Sequence, residues 1–303
     1  MTRRAEVILI AVLAVVCAGA GWTLAARHRH TATSGQAASP ARLAPSPRPA
    51  SPPRPAPPPA PPAPPAPPAP TVMNSEGCKP PPQHPDPVVL VPGTFALTSW
   101  DLIGPSLAQR GYCVFTINYG AGGTRDIVGS AHQLARDVDH ILAVTGARQV
   151  AIVGHSEGGM MARYYVKELG GAAKVSDLIG LAPSNHGTAN PLALVGALAG
   201  CVACGQQLMQ GSPLLQRLNA GNEAPPPVDY TVIQTRYDAV VVPYQSAFLR
   251  GPRARVTNIT LQDACPADTV DHLGLPTDPV ALQWVEEALA VKGPADPGFR
   301  PAC

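Results

Sequence analysis

The stretch AIVGHSEGGMM, residues 151–161, constrains the fold more than any other part of the chain. Its apolar first half predicts a buried strand, and the residues from Gly158 onward predict a helix. Ser156 lies in the turn between them, and glycines two positions before and after it permit a cramped backbone corner. A strand, a sharp turn and a helix in this order expose the Ser156 hydroxyl and make it a candidate nucleophile.

The sequence after Pro87 alternates between the same two kinds of pattern. Short apolar runs predict further strands, which read VVLVPG, YCVFTINYG, VSDLIGLAP, DYTVIQTRYD and VTNITLQD. Helices are predicted over 102–110, from Ile127 to a stop at Gly146, over 158–169 and over 279–290. Strands that alternate with helices indicate an α/β fold, in which helices flank a mostly parallel sheet.

The N-terminal part of the chain has a different composition from the rest. Residues 1–30 contain an apolar run between basic residues, which fits either a cleaved signal peptide or an uncleaved membrane anchor. Residues 31–77 are dominated by proline and alanine and predict an extended or disordered linker, because proline lacks the N–H that ladders require. Residues 78–303 have the composition of one folded domain. This arrangement predicts an extracytoplasmic protein, either secreted or anchored by its N-terminal segment.

The cysteines and the charge balance narrow the classes of partner. Six cysteines follow residue 77, and we expect the disulfides Cys78–Cys113, Cys201–Cys204 and Cys265–Cys303, which are typical of an oxidising compartment. A redox-active pair at CVAC is the alternative for the second of these. The net charge is +2 and no block of like charge is present, so nothing indicates a nucleic-acid partner.

A serine nucleophile at neutral pH needs a general base and an acid that orients the base. His272 follows the last predicted strand and precedes the last helix, which would place it at the carboxyl edge of the sheet. Asp238 directly follows the strand YTVIQTRY and is the favoured acid. Among the other histidines (His84, His132, His140, His155 and His186) the serious rival base is His186. The alternative acids are Asp263, Asp268 and Asp271.

An acyl-transfer site also needs hydrogen-bond donors for a developing oxyanion. The backbone N–H of Glu157, in the first turn of the helix after Ser156, is one candidate. Thr94, which follows VPG at the end of the first strand, offers a second N–H and a hydroxyl as a third donor. This chemistry requires no metal and no organic cofactor.

From about Cys78 onward the chain resembles the bacterial class 2 lipases, secreted α/β-hydrolase esterases that cleave acylglycerols. The matching segments are VVLVPGTFA, GYCVFTINYG, VAIVGHSEGGMMARYYVKELGG, LIGLAPSNHGT, YTVIQTRYDAVVVPY and VTNITLQDACPADTVDH. The resemblance implies a triad of Ser156, Asp238 and His272, with Thr94 and Glu157 as oxyanion donors. Two departures stand out, because many such lipases have His-Gly where this chain has Pro92-Gly93, and Gln where it has Glu157.

The sequence thus predicts a monomeric serine esterase or lipase that acts on a lipid or a small-molecule ester. The alternative is a non-catalytic, envelope-tethered binding protein with a hydrolase-like head. The apolar stretch 191–199 fits either a lipid-facing cover over the site or a buried helix.

Overall fold

The computed structural model describes residues 73–207 and 209–303, and a parallel β-sheet runs through this part of the chain. Its strands are β1 (Val88–Val91), β2 (Val114–Thr116), β3 (Val150–His155), β4 (Val175–Leu181), β5 (Asp229–Gln234) and β6 (Val256–Thr260). They lie in the order β2-β1-β3-β4-β5-β6, and every neighbouring pair is parallel. The predicted α/β-hydrolase architecture is therefore confirmed, whereas segment 1–30 and most of the predicted linker lie outside the described residues.

Helices connect the strands and cover both faces of the sheet. They are α1 (Ile103–Gln109), the short turn α2 (Gly120–Gly123), α3 (Ile127–Thr145), α4 (Glu157–Glu168), α5 (Leu192–Leu198), α6 (Val202–Gln207), α7 (Pro213–Leu218), α8 (Leu261–Ala264) and α9 (Pro279–Ala290). None of the helices in the described ranges is long and apolar enough to span a bilayer.

Two hydrophobic cores form because successive residues of a strand point to opposite faces. Val89 and Val91 of β1 belong to the core under α3 and α4. Val88 and Leu90 belong to the core under α1 and α9. A sheet that buries both faces in this way explains why its strands read as continuous apolar runs rather than as alternating patterns.

The ends of α3 follow the signals in the sequence. Asp126 caps its first turn by accepting hydrogen bonds from the backbone N–H groups of Val128 and Gly129 at 3.1 and 2.8 Å. Gly146 ends it in the left-handed conformation, with a φ of 78° that a glycine adopts without strain. The predicted helix with its stop at this glycine is therefore confirmed.

The strand predicted at YCVFTINYG is shorter than the pattern indicates, since β2 ends at Thr116. Tyr119 lies beyond the strand, where its buried hydroxyl donates a hydrogen bond to the carbonyl of Pro92 at 2.8 Å. Gly120 follows with a φ of 51° and starts the turn toward α2. The aromatic and β-branched residues that follow Thr116 therefore lie in the connection to α2 and not in the strand.

The segment α5–α6 carries the second of the expected disulfides. Cys201–Cys204 is formed, as are Cys78–Cys113 and Cys265–Cys303, so the expected pairing is confirmed. Along α5 the side chains of Leu194 and Leu198 are 50% and 81% exposed. The reading of 191–199 as a buried helix is therefore wrong, because the residues that the structure describes leave these leucines largely open to solvent.

The residues just before Cys78 pack against the sheet. The backbone N–H of Asn74 donates to the carbonyl of Val114 at 2.8 Å, and its side-chain Oδ1 accepts from the N–H of Thr116 at 2.6 Å. Contacts with the folded domain thus begin ahead of residue 78.

Candidate active site

Ser156 occupies the sharp corner between β3 and α4. Its backbone lies at φ 54° and ψ −123°, a strained conformation for a residue with a side chain. The corner leaves no space for a Cβ at the flanking glycines. A Cβ on Gly154 would lie 2.6 Å from the Cα of Gly159, and one on Gly158 would overlap the carbonyl of Val91. The two glycines of the motif are therefore steric requirements of the turn.

Asp238 and His272 come from separate loops, after β5 and after β6, and meet below the carboxyl edge of the sheet. The Nδ1 atom of His272 lies 2.8 Å from Oδ2 of Asp238, and His272 is only 3% exposed. The other carboxylate oxygen accepts from the backbone N–H groups of Val240 and Val241, each at 2.8 Å. Both oxygens of Asp238 are thus held by donors.

Opposing effects act on the pKa of Asp238. Burial raises it, but the charge and hydrogen bond of His272 and the two backbone N–H donors lower it more, so the pKa lies below its ordinary value. An ionised carboxylate accepts the Nδ1–H of His272 and leaves Nε2 as the basic nitrogen. This is the tautomer that a general base for a hydroxyl requires.

His272 lies near the corner that holds Ser156, since it contacts the neighbouring His155. The rings of His155 and His272 have centroids 4.8 Å apart, and His155 directly precedes Ser156. In the part of the chain that the structure describes, the Ser156 hydroxyl makes no hydrogen bond to the His272 ring. Catalytic hydrogen bonds of this type often tighten only when substrate is bound.

The loop after β1 runs beside the candidate nucleophile. A Cβ on Gly93 would lie 3.0 Å from the Cβ of Ser156, so the backbone that leads into Thr94 passes close to the serine. The hydroxyl of Thr94 donates to Oε2 of Glu157 at 2.6 Å. The hydroxyl predicted as a third oxyanion donor is therefore engaged with Glu157, whereas the backbone N–H groups remain the candidates for that role.

Glu157 is fully buried at the start of α4. The neighbouring Tyr119 has a pKa well above its usual value because of burial, and the charge and hydrogen bond of Glu157 raise it further. A carboxylate in the first turn of a helix interacts favourably with the helix dipole. This accounts for an acidic side chain at the position next to Ser156.

The rival residues lie in other environments. His186 bonds to the buried Glu223 at 3.2 Å and to the carbonyl of Ser246 at 3.0 Å, and the exposed Arg250 bonds to the same Glu223. The three alternative acids bond elsewhere: Asp263 to Arg236, Asp268 to the N–H of Val270, and Asp271 to the N–H of Gly274.

Sequence reasoning missed one residue of the candidate site. Thr98 hydrogen-bonds to Nδ1 of His155 at 2.8 Å, inside the site, yet no motif or spacing in the sequence marks it. Among the described residues no group of three or more His, Cys, Asp or Glu side chains is arranged to hold a metal ion.

A parallel sheet with a strained serine corner after β3, an acid after β5 and a histidine after β6 defines the α/β-hydrolase class. The sequence profile of the family Lipase (class 2) matches residues 85–285. The chain belongs to this family.

Individual relatives agree with that assignment. A triacylglycerol lipase of Vibrio cholerae is 35% identical over 39% of this chain and 43% of its own length. Aspergillus fumigatus lipase B superposes with a TM-score of 0.63 at 27% identity, over 70% of this chain and 54% of that one. The mature Bacillus licheniformis lipase BlEst2 shares the fold, with a TM-score of 0.56 at 16% identity over 73% and 96% of the two chains. This chain thus spans about half the length of the first two relatives.

Proposed function

We propose that this protein is a serine carboxylic ester hydrolase that cleaves acylglycerol-type esters through an acyl-enzyme intermediate. The observation that carries the proposal is the buried 2.8 Å contact between His272 and Asp238, beside the strained corner that holds Ser156. Family membership and the similarity to a triacylglycerol lipase support the same chemistry.

In the acylation step, Oγ of Ser156 attacks the ester carbonyl while Nε2 of His272 takes the hydroxyl proton. Asp238 holds the ring and stabilises the imidazolium that forms. The oxyanion accepts hydrogen bonds from the backbone N–H groups of Glu157 and Thr94. The imidazolium then protonates the departing alcohol oxygen, the ester C–O bond breaks, and Ser156 carries the acyl group.

Deacylation repeats the sequence with water as the nucleophile. His272 removes a proton from water, the hydroxide adds to the acyl carbonyl, and the same backbone donors bind the second oxyanion. Collapse of this intermediate returns the proton to Ser156 and releases the carboxylic acid. No step needs a redox partner or a Lewis acid beyond the protein's own donors.

A lipid-like substrate is supported by the apolar surface of this domain. Residues 187–216 contain no Asp, Glu, Lys or Arg, and the exposed side chains of α5 lie within this stretch. Val202, at the start of α6, donates to the carbonyl of Thr124 at 2.9 Å, and neighbouring Gly123 packs against Thr94. The uncharged segment is therefore connected to the loop that would bind the oxyanion.

Exposed apolar residues also flank the site along the chain. Tyr237 and Leu273 directly adjoin Asp238 and His272, and both are partly exposed. Apolar side chains in these positions favour contact with an acyl chain over contact with a charged substrate.

The three disulfides are consistent with an extracytoplasmic location. Secretion or anchoring through segment 1–30, and a monomeric state, complete the proposal.

The experiment is an acyl-length series. Release of p-nitrophenol from esters with short, medium and long acyl chains is measured for the wild-type protein and for Ser156→Ala. We expect Ser156→Ala to lose at least roughly 10⁴-fold in kcat while keeping the wild-type Tm. Hydrolysis of an emulsified triacylglycerol, followed by titration of released acid, then separates a lipase from an esterase.

The alternative function, an envelope-tethered binding protein, predicts a different result. Wild type and Ser156→Ala would then hydrolyse every ester at the same background rate. Equal rates for the two well-folded proteins would refute the catalytic proposal.

A further inference from the structure

His155, the residue before Ser156, is 2% exposed and both of its ring nitrogens are hydrogen-bonded. Nδ1 lies 2.8 Å from the hydroxyl oxygen of Thr98, and Nε2 lies 2.9 Å from the main-chain carbonyl oxygen of His272. The ring therefore stands between the loop after β1 and the loop after β6. The triad chemistry leaves this histidine unused.

The direction of each hydrogen bond follows from the partners. A carbonyl oxygen only accepts, so Nε2 of His155 carries the proton and donates to His272. Burial, followed by the electrostatic interaction with His272, lowers the pKa of His155 to about 3, although the hydrogen bond to His272 and the charge of Asp238 act the other way. The ring is thus neutral at neutral pH, and Nδ1 keeps a lone pair.

The chain of bonds continues on the Nδ1 side. Because Nδ1 is an acceptor, the hydroxyl of Thr98 donates its proton to His155. The oxygen of Thr98 in turn accepts the backbone N–H of Gly93 at 2.8 Å. The three hydrogen bonds therefore run in one direction, from the N–H of Gly93 through Thr98 and His155 to the carbonyl of His272.

The two ends of this chain are the two loops on which the proposed reaction depends. Gly93 immediately precedes Thr94, whose N–H is a proposed oxyanion donor. At the other end, Asp238 fixes the ring of His272, while His155 fixes its backbone, and Thr235 holds the carbonyl of Val270 at 2.7 Å in the same loop. Ring and backbone together determine where Nε2 of His272 points.

We propose that His155, as a neutral Nε2–H tautomer relayed through Thr98, is a positioning residue that sets the oxyanion loop and the base loop relative to each other around Ser156. This inference rests on the proposed function. The neutral ring matters, since His272 becomes a cation during the reaction only 4.8 Å away between ring centroids. A positively charged ring at position 155 would repel that cation.

The kinetic test uses His155→Phe and Thr98→Val, which each remove hydrogen bonds of the relay and fill the same space with an apolar side chain. The conservative variants are His155→Gln and Thr98→Ser, and the matched control is His132→Phe on the exposed face of α3. With a p-nitrophenyl ester, we expect the disruptive variants to lower kcat roughly tenfold to a hundredfold with KM changed less than about threefold. The conservative variants should recover most of the loss, and the control should equal wild type.

A double variant adds a readout that a merely structural role would not produce. Since either single change already breaks the relay, His155→Phe/Thr98→Val should lose no more kcat than the worse single variant. Multiplicative losses, or disruptive variants with wild-type kcat and Tm, would overturn the proposal. If wild type shows no Ser156-dependent hydrolysis, the proposed function fails instead.

A second measurement is independent of activity. In ¹⁵N-histidine-labelled Ser156→Ala protein, two-bond ¹⁵N–¹H correlation spectra report the tautomer of each ring, and His155→Gln assigns the signal. We expect a neutral Nε2–H form of His155 throughout pH 5–8 and its retention when Ser156 is absent. A protonated ring or an Nδ1–H form in that range contradicts the proposed direction of the relay.

Discussion

The Nδ1 atom of His272 and the Oδ2 atom of Asp238 lie 2.8 Å apart although the two residues follow different strands. Both side chains are almost fully excluded from solvent. The carboxylate is additionally held by two backbone donors, so it cannot rotate away from the ring without breaking them. A contact held this firmly fixes one tautomer of the histidine.

The first prediction concerns that tautomer. Asp238→Asn keeps the size of the side chain, but its amide favours the wrong tautomer, and we expect kcat to fall by about 10⁴-fold near neutral pH. Steady-state kinetics with a p-nitrophenyl ester measure the loss. Asp263→Asn serves as the control, because Asp263 pairs with Arg236 at the surface. Comparable losses in both variants would remove Asp238 from the mechanism.

The same carboxylate should affect stability in acid. Its pKa is lowered in the folded state, so the stability it contributes is present above its unfolded pKa of about 3.9 and is lost as the pH falls through the lower folded value. We expect the wild-type advantage in Tm over Asp238→Asn to shrink below about pH 4. Calorimetry from pH 3 to pH 7 measures it, and a constant difference would contradict the linkage.

The contact of Thr94 with Glu157 predicts a separation of stability from catalysis. Thr94→Val removes a hydrogen bond to a buried carboxyl group and should cost about 1.5–3 kcal/mol in unfolding free energy. The backbone donors are unchanged, so kcat should fall less than about tenfold. Urea unfolding and kinetics on Thr94→Val, beside Thr94→Ser, measure both. A loss of 10²–10³-fold in kcat with unchanged stability would instead make the hydroxyl an oxyanion donor.

Asp177 on β4 provides a pH-dependent prediction away from the site. Burial, with the nearby charges of Asp229 and Asp86, raises its pKa to about 7 although Ser176 acts the other way. The folded state therefore holds a proton that the unfolded state has released, and stability is lost as the pH rises from about 4 to about 7. Asp177→Asn should gain on the order of 2 kcal/mol over wild type at pH 8 and little at pH 4. Tm as a function of pH, with Asp101→Asn as an exposed control, tests this, and a pH-independent gain would refute it.

The disulfides should differ in their contribution to stability. Cys78 and Cys113 close a loop with a separation of 35 residues, whereas Cys201 and Cys204 are separated by 3. The loop-entropy relation gives about 4 kcal/mol for the first and about 2 kcal/mol for the second. Thermal unfolding of Cys78→Ala/Cys113→Ala and of Cys201→Ala/Cys204→Ala shows which disulfide contributes more stability. A larger loss at the short loop would show that its packing, rather than chain entropy, dominates.

Much of the fold could be predicted because its signals are local. The end of α3 at Gly146 and the corner at Ser156 follow from residues that only particular backbone geometries accommodate. The association of Asp238 with His272 follows from strand order, since both residues lie in connections that follow the carboxyl ends of neighbouring parallel strands. The hydrogen bond between Thr98 and His155 could not be predicted, because a contact between residues 57 positions apart leaves no local pattern in the sequence.

The region around α5 and α6 also escaped prediction. Apolar residues that stay exposed carry the same pattern as apolar residues that are buried, so the sequence alone left both readings of 191–199 open. Burial of a helix depends on what packs against it. For Leu198 that information exists only in the tertiary structure.

Asn74 has a consequence beyond anchoring the entry of the domain. Strand β2 is the outermost on its side of the sheet, and the unpaired peptide groups of an edge strand can pair with a strand of another molecule. Asn74 hydrogen-bonds to the carbonyl of Val114 and to the N–H of Thr116 on this edge strand, and we expect these bonds to reduce self-association through it. A version of this protein trimmed to begin at Cys78 would lose this guard and should be more prone to aggregate.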